Sequence, residues 1–135
     1  MALKATLILE NKTSYDVQDL DYELHKPFDN NYKPSATARG GIINFTLLSP
    51  MDKNLVFHEW LLSVAIVKEG IFKLPLTHGV THIEKEIKFQ KAHCVRLNES
   101  YSSFNQSQMY MRISISAPII DFGSGVVFRN KDLQL

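Results

Sequence analysis

Residues 109–115 read Met-Tyr-Met-Arg-Ile-Ser-Ile, with Met109, Met111, Ile113 and Ile115 on one parity and Tyr110, Arg112 and Ser114 on the other. A β-strand sends successive side chains to opposite faces, so this alternation gives one face to a core and the other to water. Residues 41–48 repeat the pattern, setting Ile43, Phe45 and Leu47 against Asn44 and Thr46. Only one stretch has helical spacing: Phe57, Trp60, Leu61 and Val64 fall at i, i+3, i+4 and i+7. The expectation is a mainly β, antiparallel protein with one short helix over about 55–66, capped by Asn54 and anchored by Trp60 as a structural residue.

Outward from these strands, residues 3–9 alternate, Glu10-Asn11-Lys12 turns the chain, and two further strands are expected at 13–18 and 19–26. Residues 27–38 are polar, hold Pro27 and Pro34, and form a long excursion in which Phe28 and Tyr32 are costly to expose. Arg39-Gly40-Gly41 then enters the next strand, the paired glycines permitting a bulge or a close backbone approach. After the helix, a strand at 71–76 turns at 77–81 into a run where Ile83, Ile87, Phe89, Val95 and Leu97 share one parity with Lys85, Lys91 and His93. That run exceeds ordinary strand length, so a bend or bulge is expected near Gln90-Lys91, the strand crossing between the sheets of a closed or nearly closed barrel. Residues 98–107 are a second polar excursion, Pro118 ends the strand at 108–116, two short strands flank Gly123-Ser124-Gly125, and 129–135 read as a tail.

A chain of 135 residues with 44% apolar content supports one globular domain, residues 1–135. Its 15 basic and 14 acidic residues are interspersed, leaving no field to steer a phosphate backbone, so nucleic acid is not an expected partner. Cys94 stands alone and is expected to be an inert side chain of a protein that folds in the cytoplasm. The apolar N-terminus runs into charge at Glu10, too short for a signal peptide, and no run reaches membrane-spanning length, so no direct membrane insertion is expected. The glycosylation sequons at Asn11, Asn44, Asn98 and Asn105 then read as chance matches.

No set of residues announces chemistry. His78 and His82 have a ligand-like spacing, but it spans a glycine turn where a helix would be needed to bring the rings together. His25, His58 and His93 are scattered, Glu84 and Glu86 alternate with lysines, and the glycine pairs lack the lysine of a phosphate loop. No catalytic, cofactor-binding or metal site is expected, and the chain is not expected to be an enzyme. A monomeric barrel holding a small apolar ligand stays open as a binding-class alternative.

Several stretches together carry a family resemblance: Lys4-Ala5-Thr6-Leu7, Tyr15-Asp16-Val17, Arg39-Gly40-Gly41 with Ile43 and Phe45, Glu59-Trp60, and Glu86 through Cys94-Val95. In these the chain resembles the haemolysin-coregulated protein (Hcp, TssD) family, the tube protein of the type VI secretion system, in its Bacteroidetes form. The resemblance implies an antiparallel two-sheet β-barrel with one flanking α-helix, as in phage tail tubes, closing into homo-hexameric rings that stack into a hollow tube. A contractile sheath would expel that tube, with baseplate and spike proteins as further partners and effector proteins in the lumen. The subunit would be cytoplasmic before firing and then secreted without a signal peptide. On this reading Asn44, Thr46, Gln108, Arg112 and Ser114 line a wet lumen, while Phe28 and Tyr32 contact the next ring and Arg39 orders the base of their loop. The tube subunit of a related contractile injection particle has the same implied architecture.

Overall fold

The computed structural model describes residues 4–27, 31, 38–50, 53–105 and 108–130, with the backbone alone for Asn105 and Gln108. Among the described residues eight strands and one α-helix follow in the order β1 (Ala5–Leu9), β2 (Thr13–Tyr22), β3 (Ile42–Leu48), α1 (Val56–Leu62), β4 (Lys68–His78), β5 (Thr81–Ser102), β6 (Gln108–Ser116), β7 (Ile119–Gly123) and β8 (Val126–Arg129), with a 3-10 turn at Ser103–Asn105. They form one eight-stranded sheet in the order β4-β1-β2-β3-β6-β5-β7-β8, and a further pairing of β4 with β5 joins its members into a ring. All described pairings are antiparallel.

The expected two-sheet barrel is therefore corrected: one antiparallel sheet forms a ring, and β7 and β8 branch from it outside the circuit of pairings. The physical reason is the length of β5. Its 22 residues stay in one sheet instead of crossing to a second, pairing with β4 through Ala92, with β7 at Lys88–Gln90 and with β6 from His93 onward. Bulges absorb the curvature. One lies at Lys91, where φ is 57° and the register with β4 slips, in the place the alternation predicted. A second, between Cys94 and Arg96, was not expected.

β2 shows the same device. The break expected between 18 and 19 is a bulge within a single strand, the register with β3 slipping between Val17 and Asp19. Past Tyr22 the chain leaves the strand, and His25 meets Arg39 as an isolated bridge.

The ring encloses Leu7, Ile43, Phe45, Phe72, Ile87, Ile113 and Ile115, each fully buried. Phe45 and Phe72 meet edge to face with centroids 5.0 Å apart, and Phe72 continues to Phe89 at 5.5 Å. Packing of this kind fills the centre, where a ligand-binding barrel would keep space.

α1 is shorter than expected. Ser63 is extended, at φ −100° and ψ 130°, and its Oγ accepts the Ala65 N–H at 3.2 Å, a local bond that competes with another helical turn. Val64, expected on the buried face, consequently stands 95% exposed. Leu55 occupies the cap position without a side-chain bond, and Asn54 accepts the Val56 N–H one residue earlier.

β4 runs on to His78 and carries Pro75, whose missing N–H would break an interior strand. β1 pairs with β4 only between Gly70 and Lys73, so Pro75 sits where that outer edge has no described partner. The arm formed by Leu74–His78 and Thr81–Lys85 projects past the ring.

Candidate assembly surface

Because Ile43, Phe45 and Leu47 of β3 and Met111, Ile113 and Ile115 of β6 point into the core, the alternate residues share the opposite face. Two rows cross it. Asp21, Asn44, Ser114 and Arg96 are successive partners on β2, β3, β6 and β5, and Asp19, Thr46, Arg112 and Asn98 form the next row. In the first row Asn44 Nδ2 donates to Asp21 Oδ1 at 2.9 Å, and Ser114 Oγ donates to Asn44 Oδ1 at 2.5 Å. Ser114 is 8% exposed, and this bond satisfies its hydroxyl.

The structure thus brings Asn44, Thr46, Arg112 and Ser114 to one polar face. Gln108 begins β6 on its backbone, and its side chain lies outside the described residues, as do Phe28 and Tyr32. Arg39 is exposed and exchanges backbone hydrogen bonds with His25 at 2.6 and 3.0 Å. Gly40 and Gly41 adopt φ of 153° and 97°, and a Cβ on either would come within 2.7 Å of a backbone oxygen, so the glycines serve the close approach the sequence permitted.

Trp60 is 1% exposed and donates from Nε1 to the Ala92 carbonyl at 3.0 Å, fixing α1 to the middle of β5. Beside it lies a polar junction that no sequence motif indicates. Glu99 receives His58 Nε2 on one oxygen at 2.6 Å and Ser49 Oγ on the other at 3.1 Å, joining α1, β5 and the end of β3. His58 Nδ1 is buried without a partner among the described residues, so Nε2 carries the proton given to Glu99. Ser49 and His58 both bind the carboxylate and are not bonded to each other, so the trio clamps three elements and lacks the nucleophile-to-base contact of a hydrolytic triad.

His78 and His82 lie across the tip of the arm, where Thr77 Oγ1 rests 3.2 Å from His82 Nδ1. No group of three or more His, Cys, Asp or Glu suited to a metal occurs among the described residues. Cys94 is buried, and desolvation pushes its thiol up from 9.0 to about 11, with the Arg96 backbone bond opposing. A raised thiol pKa favours the folded state below pH 9 and loses that advantage as pH climbs toward 11. Urea titrations across this window should show stability falling in the wild type and falling less in Cys94→Ala, and thiol reagents at pH 8 should react only as the protein unfolds.

A family model described as hemolysin coregulated protein Hcp (TssD) matches residues 1–131. The chain belongs to this family of structural, non-catalytic proteins and is a tube protein of the type VI secretion system. Membership carries the partners typical of that system: hexameric assembly, sheath and baseplate. Among solved structures, Hcp1 from Flavobacterium johnsoniae is similar at TM-score 0.77 and 26% identity, over 95% of this chain and 100% of that one. A crystal structure of an Hcp protein superposes at TM-score 0.70 with 12% identity, covering 93% and 97% of the two chains. Hcp1 from E. coli EAEC 042 does so at 0.70 with 15% identity, covering 93% and 96%. No curated protein matches the sequence.

Proposed function

We propose that residues 1–135 act as a single tube-protein domain whose β2-β3-β6-β5 face lines the lumen of a six-membered ring, and that these rings stack into the expelled tube. The observation that carries this reading is the pair of polar rows built from Asp21, Asn44, Ser114, Thr46 and Arg112, backed by a dry core. Short polar side chains hold water against the wall, which suits a conduit for folded effector proteins. The subunit is stored in the cytoplasm and leaves the cell with the tube and its spike.

Negative-stain electron microscopy with light scattering tests the reading. Six-subunit rings with a central hole are expected, and a monomer at every concentration would overturn it. Residues 27–38 are assigned to contacts between rings. Phe28→Ser with Tyr32→Ser should leave single rings intact and abolish stacks, and loss of the rings themselves would count against that assignment.

A further inference from the structure

The lumen-facing reading leaves open how neighbouring subunits recognise each other, and the charges on that face supply an answer. Asp19 and Asp21 stand exposed on β2, while Arg96 and Arg112 stand exposed on β5 and β6. Asp21 uses one oxygen on Asn44, and neither Asp19, Arg96 nor Arg112 joins an ion pair among the described residues. The β2 and β5 flanks are three strand spacings apart, about 14 Å, so Asp19 and Asp21 do not meet Arg96 within one copy. One flank is acidic and the other basic.

Two bulges create this arrangement. Tyr15 and Val17 point into the core, and without the slip at Gln18 the aspartates at 19 and 21 would share their parity. Ala92 and Cys94 also point inward, and without the slip at Val95 so would Arg96. Each inserted residue turns a charge from the core to the polar face, the re-aiming that bulges perform beside working surfaces. Among the described residues β1 pairs with β2 only as far as Val17, and β4 with β5 only as far as Ala92.

We infer that Asp19 and Asp21 on β2 of one copy pair with Arg96 on β5 of the next copy around the ring, with Arg112 adding to the basic flank. A two-fold contact made edge to edge, β2 on β2 or β5 on β5, would set aspartate against aspartate or arginine against arginine. A head-to-tail contact sets opposite charges together at every step, and it is the kind of interface that closes into a ring. The inference rests on the proposed lumen-facing orientation and names the contact that orientation needs.

The test is a charge swap on the full chain, read as the protein concentration at which rings form, by light scattering and native mass spectrometry. Asp19→Lys with Asp21→Lys, and separately Arg96→Glu, should each raise that concentration about a hundredfold, since like charges facing across an interface are strongly unfavourable. The three changes combined should restore assembly to within about tenfold of the wild type, and salt should weaken the wild-type ring. Circular dichroism checks folding, and Asp19→Lys alone, which touches no described hydrogen bond, covers the case in which Asp21→Lys disturbs Asn44. Rings that survive both single reversals, or a folded combined variant that stays dissociated, would overturn the contact and leave the tube reading standing. A wild-type chain that never forms rings would overturn both.

Discussion

Trp60→Ala is expected to lower the unfolding free energy by about 3–5 kcal/mol, the usual result of emptying a buried aromatic site. The indole is 1% exposed, packs within 6.3 Å of the Phe57 ring, and bonds the Ala92 carbonyl at 3.0 Å. α1 has only seven residues, too few to persist without tertiary packing, so losing its largest contact should release the helix and expose Phe57 with it. Trp60→Phe keeps much of the apolar volume and leaves the Ala92 carbonyl unpaired, for a smaller loss of about 1–3 kcal/mol. Urea unfolding followed by circular dichroism separates the two, since the only tryptophan is the residue being changed. Equal losses in both variants would show that the hydrogen bond alone holds the helix.

Gly41→Val should cost about 3 kcal/mol or more, by a different route. Gly41 has φ of 97°, where a side chain is strained, and an added Cβ would lie 2.7 Å from the Ala117 carbonyl oxygen and 3.3 Å from the Phe128 ring. The backbone cannot retreat without breaking the Ala117 N–H bond to the Gly41 carbonyl, at 2.7 Å. Gly79→Ala is the control. It also has positive φ, at 61°, but open space around the site, so it should lose only about 1 kcal/mol. The difference in unfolding midpoints isolates the steric part, and near-equal losses would refute it.

The strands at 41–48 and 109–115 were legible because each has one dry face and one wet face along its whole length, the condition under which parity predicts orientation. β5 has no such constancy. Lys91 and Val95 each add a residue and reverse the phase, so counting from Ile87 turns Ala92 and Cys94 outward and His93 inward, the opposite of what is found, and the two reversals cancel again by Arg96. The boundary expected between 18 and 19 is a reversal of phase within one strand, which a change of parity alone does not distinguish from a new strand. The single ring-forming sheet depends on which strands β5 pairs with at each level, and that is a property of long-range pairing absent from any local window. The same limit hid the His58–Glu99 bond, whose partners are 41 residues apart. Asn44, Thr46, Arg112 and Ser114 share a face because they lie on strands whose alternation is unbroken.

Pro75 bears on a hazard that any concentrated stock of these subunits faces. An exposed strand edge offers a template on which further strands can add, and among the described residues the arm presents two unpaired edges together with the exposed side chains of Leu76 and Ile83. A residue with no N–H stops such addition along β4 at the point where β1 ceases to shield it, while Glu84 and Lys85 place charge on the companion edge. Pro75 and the flanking charges thereby oppose strand addition along the arm, which favours ordered assembly over edge-to-edge association.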